Sequence, residues 1–320
     1  SAPVGYLKTV TMYPMDFEEF LQIYNFTDEL KESLYASFVE RKPVNEEVHN
    51  RMMKIFNTYL NVGGMPSAVK SFNKTKSLED VIHEHEDIVV QYKKDFTRYE
   101  KEDKKPYLTQ IYDLIPAELN AQNKRFNFAD LKKGLRYERS EDNFVWLSSA
   151  GVALPAYNTS APTVPLLLNE KSSLFKLFLS DVGMLTTLYG RATKMKLLSN
   201  DQNINYGAIY ENVVAQELKA HGFKLYYFNS KKTGEVDFVI EYNGKVMPIE
   251  VKSGKDYRKH SALINVIDTP NYSIDEAIVL SNYNVSVSGK ITYYPIYMLM
   301  FIRNDEIKMP KLELDDLSAL

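Results

Sequence analysis

The chain has 320 residues, more than one small core needs and about the length of two or three domains. Its formal net charge of −3, with 44% hydrophobic and 25% charged residues, is ordinary for a soluble globular protein. That charge excludes a strongly basic chain, so any contact with nucleic acid must use a local basic patch. Cysteine is absent, which excludes disulfides and thiolate metal sites and leads us to expect a cytoplasmic protein. The longest apolar run, residues 293–302, is shorter than the roughly 18 residues of a membrane span, so no membrane association is expected.

Residues 1–105 are predicted to form a first, helical unit. Asp16 is an N-cap candidate because Glu19 follows three residues later, as in a capping box. A second helix has apolar residues at helical spacing and is predicted to end at Gly63. The charged run at 100–105 marks the first expected domain boundary.

Residues 106–200 are predicted to form a second domain. Three short helices precede two short strands at 152–158 and 163–169, an order typical of a winged helix. A further helix is predicted over 173–190.

Basic residues cluster just before the third of these helices. We consider a DNA-facing surface there, built from Lys132, Lys133 and Arg136 with Lys124, Arg125 and Arg139 beside them. The alternative is a structural winged helix that packs the first unit against the last one.

Residues 201–320 are predicted to form a third domain. A helix, three strands, a helix and two further strands follow one another, which indicates a mixed sheet flanked by helices. The expected fold class is therefore α/β with several domains.

A hairpin in this last domain brings acidic residues together. Asn243-Gly244 is a strong signal for a two-residue type I′ turn. Counting outward from that turn pairs Tyr242 with Lys245, Ile240 with Met247, Val239 with Pro248, Phe238 with Ile249 and Val236 with Val251. Asp237 then faces Glu250, and Lys252 lies on the same side of the hairpin.

Two facing carboxylates with a lysine beside them suit metal-dependent chemistry. Like charges at paired positions are unfavourable unless something neutralises them, and their Cβ atoms would be about 5 Å apart. Such a pair suits Mg²⁺ (or Mn²⁺), which can activate water, while Lys252 orients it. The alternative is a charged sheet face that water simply solvates.

Asp237, Glu250 and Lys252, in "GEVDFVI…IEVKSG", resemble the Asp…Glu-x-Lys motif of the PD-(D/E)XK nuclease superfamily. The resemblance implies a restriction-endonuclease-like sheet and a metal held by Asp237, Glu250 and the Val251 carbonyl. It also implies a catalytic group of Asp237, Glu250, Lys252 and an assisting glutamate on the preceding helix. Glu211 fits that last position, with Glu217 as a second candidate. The proline that often precedes the first Asp of the motif is missing here.

Basic residues follow the Glu-x-Lys strand. In a nuclease, Lys255, Arg258 and Lys259 would bind phosphates at the rim of the site. The alternative is that they form an ordinary charged helix face.

Four motifs in order resemble the C-terminal part of bacterial and archaeal predicted AAA-type ATPases: "YPMDFEEFL", "YLNVGGMPSAV", "FKLFLSDVGML" and "GAIYENVVAQEL…IEVKSG". The resemblance implies that residues 1–105 are a helical lid or linker after an ATPase domain. This chain lacks a phosphate-binding loop, so we expect ATP to bind only in that preceding domain. The start at Ser1-Ala2 without methionine leads us to expect a piece of a larger protein.

The expected partners are therefore DNA and the protein's own ATPase domain. Two functions stay open: a metal-dependent nuclease, and a non-catalytic module that binds nucleic acid or a protein.

Overall fold

A computed structural model describes residues 10–99, 105–121, 123–131, 141–199 and 206–304. These ranges form a mixed α/β structure, mostly helical in the N-terminal part, with one eight-stranded sheet. The α/β class expected from the sequence is confirmed at this level. Within the same ranges, no helix is long and apolar enough to cross a membrane.

The helices are α1 (Phe17–Leu21), α2 (Asp28–Glu40), α3 (Glu46–Val62), α4 (Pro66–Thr75), α5 (Leu78–Tyr99), α6 (Lys105–Asn120), α7 (Phe128–Leu131), α8 (Glu141–Ser149), α9 (Val182–Leu188), α10 (Arg191–Leu198), α11 (Tyr206–Ala220) and α12 (Ser261–Ile267). The strands are β1 (Ala153–Thr159), β2 (Glu170–Leu179), β3 (Tyr226–Ser230), β4 (Gly234–Tyr242), β5 (Lys245–Val251), β6 (Ala277–Ser281), β7 (Ser286–Ser288) and β8 (Ile291–Pro295).

The helix ends expected in the N-terminal part are confirmed. The Asp16 carboxylate accepts a hydrogen bond from Glu19 N at 2.8 Å, and the Glu19 carboxylate accepts one from Asp16 N at 3.0 Å, which completes a capping box. Helix α3 ends at Gly63, whose φ of 70° favours glycine. The sequence therefore defines both helix ends locally.

The sheet joins the middle of the chain to its C-terminal part. The strand order is β2-β1-β3-β4-β5-β6-β8-β7. β1 pairs with β2 antiparallel and with β3 parallel. The hairpin of the predicted winged-helix segment is therefore the edge of the same sheet, and the winged helix itself stays a prediction.

Two secondary-structure predictions are wrong in this middle segment. The helix expected over 173–190 is strand β2 followed by α9, and the strand expected over 163–169 contains the 3-10 helix Leu166–Asn169. Residues Phe175–Leu179 are all buried, so the polar-apolar alternation of a half-buried strand is missing. A short, wholly buried strand cannot be told from a buried helix by periodicity.

A third difference concerns the end of the sheet. We predicted one strand over 291–301, but β8 ends at Pro295 and a 3-10 helix, Ile296–Phe301, follows. All eleven residues are buried, so the burial pattern has no period that could distinguish a strand from a 3-10 helix here.

The turn at Asn243-Gly244 sets the predicted register of β4 against β5. Both residues have positive φ, 51° and 74°. The observed pairs are Phe238 with Ile249, Val239 with Pro248, Ile240 with Met247, Glu241 with Val246 and Tyr242 with Lys245. The predicted pairing is confirmed from the turn as far as Phe238, where the described ladder ends.

A β-bulge in β4 changes which way the next residues face. Tyr226 pairs with Val239 and Phe228 with Val236, so β4 has one more residue than β3 in this interval. Val236 consequently packs with Val239 in one buried cluster, whereas Phe238 is buried in the other. The predicted pairing of Val236 with Val251 implies strict alternation, which puts Val236 on the face of Phe238. That implication is wrong, because the bulge reverses the alternation at Asp237.

Helices cover both faces of the sheet around this bulge. Helix α11 packs against β1, β2 and β5, and α12 packs against β4. Helix α11, which carries Glu211, thus packs against β5, which carries Glu250.

Candidate functional site

An open cavity of about 370 Å³ lies where the end of β5 meets the start of α11. Its lining includes Lys124, Glu211, Asp237, Val251, Lys252, Tyr257 and Lys259. Three of the four residues predicted to be catalytic, together with Val251, therefore lie around one cavity.

Asp237 is placed in this cavity by the bulge of β4. Its Oδ2 accepts a hydrogen bond from Val251 N at 2.8 Å, beyond the last regular pair of the β4–β5 ladder. Burial, together with the nearby carboxylates of Glu250 and Glu211, raises the pKa of Asp237 well above its ordinary value. The negative charge of Asp237 is therefore poorly compensated in this structure.

Glu250 and Lys252 form an ion pair at the end of β5. Lys252 Nζ lies 2.7 Å from Glu250 Oε1, and Glu250 is only 6% exposed. Glu250 Oε2 is buried and has no hydrogen-bond partner among the described residues. Burial raises the pKa of Glu250 although Lys252 opposes this. Burial opposes the charge of Lys252, but Glu250, Asp237 and Glu211 together raise its pKa.

Glu211 is buried on α11 and bound by two lysines. Its carboxylate lies 3.4 Å from Lys176 Nζ and also accepts a hydrogen bond from Lys124. Burial alone would raise the pKa of Glu211, but the ammonium groups of Lys176 and Lys124 outweigh it and lower that pKa. Glu211 is thus ionised at a buried position.

Glu217, the second candidate on α11, belongs to a different environment. It is buried and its Oε1 accepts hydrogen bonds from Tyr59 OH and Phe17 N, both at 2.9 Å. Burial raises the pKa of Glu217 to about 7. Its contacts connect α11 to the N-terminal helices, which is a structural role.

Lys176 on β2 is a site residue that the sequence reasoning missed. It is fully buried, lies 2.6 Å from Glu235 Oε1, and its ammonium is 5.2 Å from the centre of the Tyr227 ring. Burial opposes its charge, yet Glu211, Glu235 and Asp237 together raise the pKa of Lys176. The available signal was its position as the one charged residue in the apolar run 174–179.

The predicted basic rim follows β5 directly. Lys255, Arg258 and Lys259 are all exposed, and Lys259 lines the cavity while pairing with Asp256 at 2.9 Å. The other predicted nucleic-acid contacts, Lys132, Lys133 and Arg136, lie outside the described residues.

The described cluster pairs acids with lysines. It contains four carboxylates (Glu211, Glu235, Asp237 and Glu250) and three ammonium groups (Lys124, Lys176 and Lys252). In the described part of the chain, no three histidine, cysteine or acidic side chains converge closely enough to hold a metal ion. A cation here would have to draw carboxylates away from their lysine partners.

Two family models match the chain. Residues 53–195 match a domain of unknown function, DUF8612, and residues 206–299 match a second domain of unknown function, DUF4143. No curated protein and no solved structure matches the chain. The second match contains Glu211, Asp237, Glu250 and Lys252, whereas Lys124 and Lys176 lie in the first. The site thus draws its acids from one matched domain and two of its lysines from the other.

Proposed function

We propose that this cavity is the site of metal-dependent phosphodiester hydrolysis in a PD-(D/E)XK-like domain that acts on DNA. The observation that carries the proposal is that Asp237, Glu211 and Lys252 line one open cavity, and the raised pKa of Asp237 agrees with it. A half-buried acid beside other acids, in an open cleft, is typical of a functional site.

Two features fit a divalent cation. Glu250 Oε2 is a buried oxygen without a hydrogen-bond partner among the described residues, and Lys176 and Lys124 only partly offset the charge of Asp237. Asp237, Glu250 and the Val251 carbonyl would hold Mg²⁺ or Mn²⁺, and Glu211 would assist them. When bound, such an ion makes a water more acidic and polarises a phosphate oxygen.

The lysines have separate roles in this proposal. Lys252 is 29% exposed in its side chain and lines the cavity, so its ammonium can orient water and offset charge on the phosphate. Lys255, Arg258 and Lys259 are exposed beside the cavity and would bind neighbouring phosphates.

Cleavage assays test this proposal. We expect single-stranded, duplex or branched DNA to be cut with Mg²⁺ or Mn²⁺ and to remain intact in EDTA. Glu250→Gln should slow cleavage roughly 100-fold, because it removes a charge needed for the cation. Glu241→Gln is the control: Glu241 is on the same hairpin but accepts its hydrogen bond from Leu166 N at 2.6 Å. Cleavage that persists in EDTA, or that Glu250→Gln leaves unchanged, contradicts the proposal.

A non-catalytic binding module is the second candidate function. It is supported by the ion pairs, because Lys252 binds Glu250 while Lys124 and Lys176 bind Glu211 without any metal. In that case the cytoplasmic AAA-type ATPase domain, to which the sequence motifs point, would perform the ATP-dependent work. Two calorimetric titrations separate the two functions. DNA binding in EDTA, together with no heat of binding when Mn²⁺ is titrated into the protein without EDTA, favours the module.

A further inference from the structure

Two stacked tyrosines lie beside the cavity. The rings of Tyr257 and Tyr283 are 4.1 Å apart between centres and inclined by 18°, so they are nearly parallel. Tyr257 lines the cavity, and Tyr283 is 38% exposed. A partly exposed tyrosine ring therefore lies one ring away from the cavity of the predicted catalytic residues.

The position of Tyr283 is fixed relative to the site by its neighbour. The Asn282 amide donates a hydrogen bond to the Ser253 carbonyl at 3.4 Å, directly after Lys252 in the chain. Tyr210 OH in turn donates to Asn282 Oδ1 at 2.6 Å. Because Tyr210 is on α11 with Glu211, these bonds tie the stacked rings to both elements of the site.

A guanidinium completes the aromatic surface. Arg258 lies 5.4 Å from the centre of the Tyr257 ring and 5.2 Å from that of Tyr293, within the range of a cation–π interaction. Lys255 and Lys259 are exposed on either side of this stretch. Aromatic rings combined with nearby cations are what proteins use to bind single-stranded nucleic acid.

We infer that Tyr257, Arg258 and Tyr283 form a stacking surface for unpaired bases, which makes single-stranded nucleic acid the substrate class of the site. This inference rests on the proposed function, whose substrate it names. A base in a duplex has both faces covered by its neighbours, so it cannot stack on Tyr283 unless it leaves the helix. The basic rim would bind the phosphates of either form, whereas the ring distinguishes single strands from duplexes.

Binding experiments in EDTA test this inference without requiring cleavage. Fluorescence anisotropy would measure the affinity of the protein for a labelled oligothymidine and for a hairpin duplex of equal length. Wild type should bind the single strand more tightly. Tyr283→Leu should weaken single-strand binding about 5- to 150-fold, the range expected for one lost base-stacking contact. Tyr283→Phe keeps the ring and should retain the affinity.

Tyr24→Leu is the matched control, because Tyr24 is 39% exposed and lies far along the chain in the 3-10 helix Gln22–Tyr24. Equal loss of single-strand and duplex affinity in Tyr283→Leu, unchanged affinity, or no preference in wild type overturns the inference. If Tyr283→Leu shows the selective loss but no metal-dependent cleavage is found, the stacking surface stands and the catalytic proposal fails.

Discussion

Asp237→Asn should abolish metal-dependent cleavage and, at the same time, stabilise the fold. The substitution removes a charge that the cation requires, for which we expect a loss of at least about 100-fold in rate. It keeps the shape of the side chain and an oxygen that can accept the hydrogen bond from Val251 N. Because burial and neighbouring acids penalise the charge, a neutral amide should be better tolerated there than a carboxylate.

The stabilising effect should depend on pH. The folded pKa of Asp237 lies above its ordinary value of 3.8, so the folded state holds its proton more tightly than the unfolded state does. The contribution of Asp237 to stability is therefore largest at acidic pH and falls as the pH rises above about 4. The total loss is about 1.4 kcal/mol for each unit by which the folded pKa exceeds the unfolded pKa. Urea unfolding of Asp237→Asn should show a flatter pH dependence and a higher midpoint at neutral pH than wild type.

The control for this prediction is Asp275→Asn. Asp275 is exposed and pairs with Lys245 at 2.8 Å at the other end of the hairpin, and the Lys245 ammonium lowers its pKa. We expect this variant to cleave like wild type and to gain no stability at neutral pH. A variant Asp237→Asn that is less stable than wild type at neutral pH would show that the Asp237 charge is already compensated.

Lys176→Met should cause the largest loss of stability among single changes at the site. Lys176 is fully buried and neutralises Glu211 at 3.4 Å and Glu235 at 2.6 Å. Removing one member of a buried ion pair leaves an uncompensated charge, which typically costs about 3–5 kcal/mol in the free energy of unfolding. Urea or guanidinium unfolding at neutral pH measures this loss.

Two further variants identify its cause. Lys176→Met with Glu211→Gln should recover much of the lost stability, since the buried Glu211 side chain, which would keep only Lys124 as a cationic partner, is then neutral. Lys224→Met is the matched control, because Lys224 also pairs with a glutamate, Glu170, at 2.7 Å and lies over aromatic rings, but is half exposed. It should cost no more than about 1 kcal/mol. Equal losses in the two single variants would exclude a buried charge network.

The central hairpin could be predicted from the sequence because its determinants are local. Asn243-Gly244 favours a two-residue turn, and that turn sets the register of β4 against β5. The register in turn determines the pairs from the turn as far as Phe238 and Ile249. The capping box at Asp16 and the helix end at Gly63 depend equally on neighbouring residues. Local chemistry of this kind is readable in a single sequence.

The rest of the site depends on contacts between distant segments. The bulge that redirects Asp237 arises from the pairing of β4 with β3, and the sequence of β4 alone does not indicate it. Lys176 meets Glu211 because β2 and β1 join the sheet beside β3, through a parallel pairing of β1 with β3 between separate segments. The wrong helix prediction over 173–190 also concealed Lys176, because in that prediction it was one polar residue on a helix.

The most direct test of the site is to locate a metal ion in it. Crystals soaked in Mn²⁺ and measured at the manganese edge should show an anomalous peak about 2 Å from carboxylate oxygens of Asp237 and Glu250. The ion pairs of Lys124 with Glu211 and Lys252 with Glu250 should loosen at the same time. A map without a peak at these carboxylates, with both ion pairs intact, would contradict a metal-dependent nuclease site and favour the binding module.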